Sequence, residues 1–221
     1  WKDETAGDGK GGWTDQGDND MRNAPLGLRD CRGIPFDIID PSTNDAKSVM
    51  VLKSKYFPTG LEKVTIPLDG AKAEYVYVLQ AAAWLNKGAA KFTLVYEDGS
   101  RGKTLYAWEN VRVCDWWKPE DSGNFKVAFT ADNPKREGVG MVAMKWKNES
   151  PEKPLQSLEI DSVQAETVML IGGVTLSTKK ELAFTGEEPH SRPPQQAQKA
   201  GASGNEAKED IPRWKMKFFY P

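Results

Sequence analysis

Short apolar and aromatic stretches that repeat with a period of two run from Trp13 to about Ser177, each bounded by a turn, and they constrain the fold of this chain more than any other feature. Residues i and i+2 of a strand share a face, so such alternation marks half-buried β-structure. Val64 and Ile66 fall on one side of the stretch Lys63 to Leu68. Val142, Met144 and Trp146 fall on one side of theirs, with Ala143, Lys145 and Lys147 on the other. Leu158 and Ile160 point inward while Glu159 and Asp161 point out. Further strands are expected at Phe36 to Ile39, Ser48 to Lys53, Glu74 to Ala82 and Lys91 to Tyr96. Asp98-Gly99 forms a hairpin-type turn, with Lys103 to Trp108 as the returning strand. Val168 to Leu176 is apolar almost throughout and reads as a more fully buried closing strand. No segment carries a helical repeat. The nearest candidate, Leu79 to Leu85, is alanine-rich and supports at most a turn or two of helix.

Roughly ten short strands without alternating helices predict an all-β fold, a two-sheet antiparallel β-sandwich of jelly-roll type. The 221 residues suffice for one such sandwich and a tail. Residues 1–12 read as a flexible lead-in and 13–177 as the sandwich. Residues 178–210, rich in Pro, Gln and Gly, bury too little apolar surface to offset chain entropy and read as a linker or a surface-lying segment. Residues 211–221 form an aromatic terminal strand. It either returns to the sandwich edge or begins the next domain of a longer parent chain. The return is favoured, because an isolated aromatic strand invites aggregation.

A net charge of −2 and no basic stripe give no electrostatic footprint for nucleic acid. No apolar run approaches the roughly 20 residues that span a bilayer. The chain opens on Trp1, and the expectation is a mature or trimmed piece of a longer protein whose export signal has already been removed. Cys31 and Cys114 are the two cysteines. Spacing alone leaves open whether they form one bridge or stay as buried thiols.

The single histidine, His190, lies in the Pro-rich segment and reads as a solvated loop residue. Ser-His-Asp, Cys-His and multi-histidine zinc chemistry are therefore not expected in the globular part. Gly138-Val139-Gly140 does not make a phosphate loop. A carboxylate pair for glycoside hydrolysis could be drawn from Glu97, Glu109 and Asp115. With 32 acidic residues in the chain, such a pair arises by chance. No catalytic residue is assigned.

The eight tryptophans carry more information. Trp146, on an alternating strand, belongs to the core. Trp84 sits at a strand-to-loop junction. Trp116 and Trp117 are neighbours, so on an extended chain one can enter the core while the other faces a loop. An exposed indole beside a carboxylate suits a sugar: its flat face stacks on the ring's C–H groups and the polar neighbour takes the hydroxyls. The candidate ligand-binding set is Trp84, Trp116, Trp117, Asp115, Arg22 and Asp20. Near the N-terminus, Asp15-Gln16-Gly17-Asp18-Asn19-Asp20 offers hard oxygens at short spacing. Asp15, Asp18 and Asp20 could hold a structural Ca²⁺, although the full EF-hand frame is missing. Arg22 is close enough to neutralise Asp18 or Asp20 instead.

Several stretches together carry a resemblance. They are Trp13-Thr14-Asp15-Gln16-Gly17 with Asn19-Asp20-Met21-Arg22, Gly33-Ile34-Pro35-Phe36-Asp37-Ile38-Ile39-Asp40-Pro41, Leu79-Gln80-Ala81-Ala82-Ala83-Trp84, Tyr96-Glu97-Asp98-Gly99-Ser100, and Asn110-Val111 leading to Asp115-Trp116-Trp117. From Trp13 to Leu176 the chain resembles the galactose-binding-type accessory β-sandwich modules attached to bacterial polysaccharide-degrading enzymes. The resemblance implies a jelly-roll sandwich and a non-catalytic role beside an enzyme. It also implies an extracellular, cell-surface or periplasmic location, and sugar binding through loops at one end. Gln80 stands where a histidine would be expected. Two functions follow as expectations. One is a carbohydrate-binding module with a polysaccharide ligand and neighbouring domains of a parent chain. The other is a structural or interaction domain with its aromatics internal.

Overall fold

The computed structural model describes residues 1–2, 7, 13, 15–86, 88–108, 111–178, 181–186 and 189–191. Twelve strands follow in order: β1 (Gly27–Cys31), β2 (Ile34–Ile38), β3 (Met50–Val51), β4 (Lys63–Ala71), β5 (Tyr75–Ala83), β6 (Ala90–Tyr96), β7 (Leu105–Ala107), β8 (Phe125–Ala131), β9 (Val139–Lys147), β10 (Leu155–Ser162), β11 (Val168–Ser177) and β12 (His190–Ser191). The helical content among the described residues is one 3₁₀ turn, Pro41–Thr43, which Asp40 caps by accepting from the Ser42 amide. The chain is all-β, with sheets packed together as in a β-sandwich.

One sheet runs β4-β10-β6-β7 and the other β12-β8-β9-β5-β11-β3, while β1 and β2 form a separate hairpin. All pairings are antiparallel except β12 on β8. The main core lies between the two sheets. Val76, Val78, Val142, Met144 and Trp146 from the six-stranded sheet meet Val64, Ile66, Phe92, Leu94, Leu158 and Ile160 from the four-stranded one. The alternation read from these strands is the alternation observed. Each large side chain fully buried here stabilises the fold by about 1.5–3 kcal/mol.

A second core lies on the opposite face of the six-stranded sheet, beyond what the two-sheet expectation foresaw. Tyr77, Leu79, Met141, Ala143 and Leu170 are covered there by Trp13, Met21, Ile34, Phe36, Ile38 and Trp116. This covering explains why β5 and β11 are apolar on both faces: a strand buried on both sides cannot alternate. The strand expected from Glu74 to Ala82 is observed as Tyr75–Ala83, with its alanines buried on both faces. One expectation is corrected. Trp1, assigned to a flexible lead-in, is buried, with its ring edge-on to Phe129 and its indole N–H donating to the Ile39 carbonyl at 2.8 Å.

The segment after β11 lies on the sheet where it is described. Leu182 and Phe184 pack on the second core. The Tyr77 hydroxyl donates to the Leu182 carbonyl at 3.0 Å and accepts from the Leu182 amide at 2.8 Å. His190 is exposed, as read, but it lies on β12 and has partners: Nδ1 lies 2.7 Å from Thr130 Oγ1 and Nε2 lies 3.2 Å from Asp132 Oδ2. The expected terminal strand 211–221 and most of the Pro-rich stretch lie outside the described residues. Cys31 and Cys114 are free, one in each core. Burial raises the Cys31 thiol to about 12 and the Cys114 thiol to about 11, so both stay protonated at neutral pH.

Candidate functional site

Register places several connections at one end of the sandwich. Ala83, which ends β5, pairs with Val168, which begins β11. Ala131, which ends β8, pairs with Val139, which begins β9. Ala90, which begins β6, pairs with Ser162 and Ala107, which end β10 and β7. The β5–β6, β8–β9 and β10–β11 connections, and the start of the β7–β8 connection, therefore gather at this end.

Trp84 is the first residue past β5. Its backbone sits in the left-handed region at φ 50°, an arrangement that favours glycine. The turn projects the indole out of the sheet, and the residue is 40% exposed. Tyr56, from the β3–β4 connection, lies beside it with centroids 5.5 Å apart and planes tilted at 55°. The Lys55 amide donates to the Ala165 carbonyl at 2.9 Å and fixes that connection against the β10–β11 turn. Two residues past Trp84, the Asn86 amide N–H donates to Thr167 Oγ1 and its side chain donates to Glu166 Oε2, both at 2.9 Å. Asn86's amide, and then the Lys55 charge 3.5 Å away, hold the Glu166 carboxyl below its usual range. An open indole and phenol thus stand beside an ionised carboxylate, an amide and an ammonium. Together they offer a flat apolar face with hydrogen-bond donors and acceptors at its edge.

The other residues singled out from sequence sit differently. Residues 114–116 wedge between β5 and β9: the Trp116 amide donates to Ala82 O at 2.8 Å and Gly140 N donates to Trp116 O at 2.9 Å. Trp116 points into the second core, 3% exposed, with its ring edge-on to Trp13 at 5.0 Å. Trp117 follows in a turn rather than an extended stretch, and it packs on the rim of the same second core. It is half-buried, edge-on to Trp116 at 5.6 Å, and the Arg136 guanidinium covers its ring at 4.8 Å. Asp115 Oδ1 accepts the Trp117 amide at 2.9 Å, an Asx-type turn that fixes the corner. Trp116 presents no open face for stacking, and Asp115 has a structural task.

Asp20 is 1% exposed. Its Oδ1 accepts from Arg22 Nε at 2.8 Å and from the Arg22 amide at 2.9 Å, and its Oδ2 accepts from Arg22 Nη2 at 3.0 Å. Arg22 therefore neutralises Asp20, one of the two partners that the sequence allowed. Asp18 Oδ1 lies 3.7 Å from Lys135 Nζ. Among the described residues no group of three or more His, Cys, Asp or Glu is placed to hold a metal ion. Gln80 is buried within β5, and its amide nitrogen donates to the Arg112 carbonyl.

Sequence reasoning did not single out Tyr56, Tyr106 and Trp108. Tyr106 and Trp108 are an i, i+2 pair on the strand expected from Lys103 to Trp108, so one face was implied by alternation alone. Their rings are nearly parallel, 29° apart with centroids at 6.4 Å, and both are exposed. Tyr56 lies in an irregular stretch whose approach to Trp84 depends on the fold. Comparisons with protein-family models, curated proteins and solved structures found no match.

Proposed function

We propose that this chain is a non-catalytic carbohydrate-binding module, a jelly-roll-type sandwich that serves as an accessory to an exported glycan-degrading protein. In this reading the Trp84–Tyr56 pair stacks on a sugar ring, while Asn86, Glu166 and Lys55 take hydroxyl groups. One observation carries the reading: a tryptophan in a left-handed backbone conformation, exposed and ring to ring with a tyrosine, at an end where polar side chains converge. An indole buries a large area when covered, so its exposure leaves stabilisation for a ligand to realise. Affinity electrophoresis against a panel of soluble polysaccharides tests the proposal. Retardation by at least one glycan, abolished by Trp84→Ala, is expected; unchanged mobility across the whole panel would count against it.

A structural or interaction domain is the second reading. The enclosure of Trp116 and the mutual pairing of Asp20 with Arg22 favour it, since three residues that sequence reasoning assigned to a ligand contribute to packing instead.

A further inference from the structure

The outer face of the four-stranded sheet carries a second aromatic platform with its own charge. Register aligns four residues across the strands: Lys63 of β4 opposite Asp161 of β10, Asp161 opposite Lys91 of β6, and Lys91 opposite Tyr106 of β7. Asp161 and Lys91 alternate with inward-facing neighbours of the main core, Ile160 and Phe92, and so face outward. Lys91 Nζ lies 5.7 Å from the centroid of the Tyr106 ring. Trp108 continues the platform beyond Tyr106 and is 47% exposed. Gly88 lies beside it: a Cβ there would stand in ordinary contact with Trp108 Cζ3 at 3.5 Å, so the indole packs on this connection. Arg112 Nη1 donates to the Tyr106 carbonyl at 3.0 Å, which fixes the guanidinium at the rim of the platform.

Charge pairing distinguishes this edge of the face from the rest of it. Lys63 and Arg101 both pair with Glu159. Among the described residues neither Lys91 nor Arg112 forms an ion pair, and Asp161 is the carboxylate in register beside Lys91. Two nearly parallel exposed rings, with one cation over the Tyr106 ring and a second at the Tyr106 carbonyl, fit a sugar that carries a negative group. The rings cover its C–H face and the cations meet its anion.

We infer that Tyr106, Trp108, Lys91 and Arg112 form a binding surface for an acidic polysaccharide, one bearing carboxylate or sulfate groups. This inference rests on the glycan-binding reading above and adds the ligand's charge and a second place of contact. Lys91 and Tyr106 lie on the sheet face, Trp108 and Arg112 follow in the β7–β8 connection, and none of the four takes part in the Trp84–Tyr56 pair, so the two places are tested with separate variants.

The experiment is isothermal titration of the full chain with matched pairs: polygalacturonate against its methyl ester, dextran sulfate against dextran, and a carrageenan against its desulfated form. Tighter binding of at least one acidic member, by about tenfold at low salt and less at high salt, is expected. The carboxylate and sulfate pairs distinguish the two anions. Lys91→Gln and Arg112→Gln should each lower acidic-glycan affinity about fivefold. Asp161→Asn should raise it. Trp108→Ala should weaken the acidic members, while Trp84→Gly should weaken the neutral members, which the proposed function places at Trp84. Unchanged thermal melting of the Lys91 and Asp161 variants excludes a folding effect. Equal affinity within every pair, or an acidic preference that survives Lys91→Gln combined with Arg112→Gln, overturns the inference. Neutral binding through Trp84 with no acidic preference removes this surface and leaves the proposed function standing. Binding of no glycan at all removes both.

Discussion

Asp20 and Arg22 close on each other two residues apart, with both carboxylate oxygens of Asp20 accepting from Arg22. Asp20 is enclosed while Arg22 is only partly covered, so the arginine supplies the compensating charge at the edge of the second core. Removing Arg22 takes from the buried Asp20 a counter-charge that the Trp1 ammonium alone does not replace, which costs more than a surface pair contributes. Arg22→Ala is expected to destabilise the chain by about 2–3 kcal/mol, read by urea unfolding. Melting with EDTA and with added Ca²⁺ should give the same midpoint, because Arg22 already neutralises Asp20 and Lys135 stands near Asp18. A Ca²⁺-dependent rise in the midpoint would assign the loop to an ion instead.

Gly140 lets β9 run close against β8 beside the 114–116 wedge. A Cβ at this position would collide with the Phe129 carbonyl oxygen and approach the Thr130 Cα at 3.1 Å. The obstacle is backbone next to a bulge in β8, so a side-chain rotation gives no relief. Gly140→Ala should cost about 2–3 kcal/mol of unfolding free energy and loosen the loop end. Gly172→Ala is the control. There the Cβ meets the flexible end of Met141 at 3.0 Å, and the smaller loss comes from repacking.

The two thiols make stability fall at alkaline pH. Burial raises the folded pKa values to about 12 for Cys31 and about 11 for Cys114, against 9.0 for the ordinary thiol. Below the unfolded value both states are protonated and nothing changes. Above it the unfolded chain loses protons that the folded chain retains, so stability declines as pH rises from 9.0 toward the folded values. The slope is about 1.4 kcal/mol per pH unit for each thiol. Urea midpoints measured from about pH 8 to about pH 10.5 should drop and should flatten in a Cys31→Ala, Cys114→Ala double variant. A thiol reagent should label neither cysteine until the protein unfolds.

Trp84 occupies a conformation in which glycine is at ease, so Trp84→Gly trades an exposed ring contact for relief of backbone strain. The unfolding free energy should stay within about 1 kcal/mol of the parent chain. A larger loss would mean that the indole serves packing rather than a ligand.

Strand positions were legible wherever one face of a strand meets the main core. Val142, Met144 and Trp146, with Leu158 and Ile160, are inward as their alternation requires. The second core was not legible, because strands buried on both faces lose alternation. Its covering layer comes from irregular segments around Trp1, Trp13 and Met21, where periodicity says nothing. The difference between Trp116, enclosed, and Trp117, half-buried, arises in a turn rather than from the extended geometry that sequence alone suggested. Which of them entered the core depended on the wedge beside Gly140, a tertiary fact. Trp84 was legible as a junction residue, but its partner Tyr56 was not, since the two meet through strand order rather than sequence distance.

The most direct measurement is a titration of intrinsic tryptophan fluorescence with the tightest-binding neutral polysaccharide, run in parallel on the parent chain and on Trp84→Gly. A sugar-binding role predicts a saturable shift in the parent chain that Trp84→Gly abolishes while its unfolding midpoint is preserved. An identical response from both proteins, or no response from the parent chain with any glycan, would contradict it.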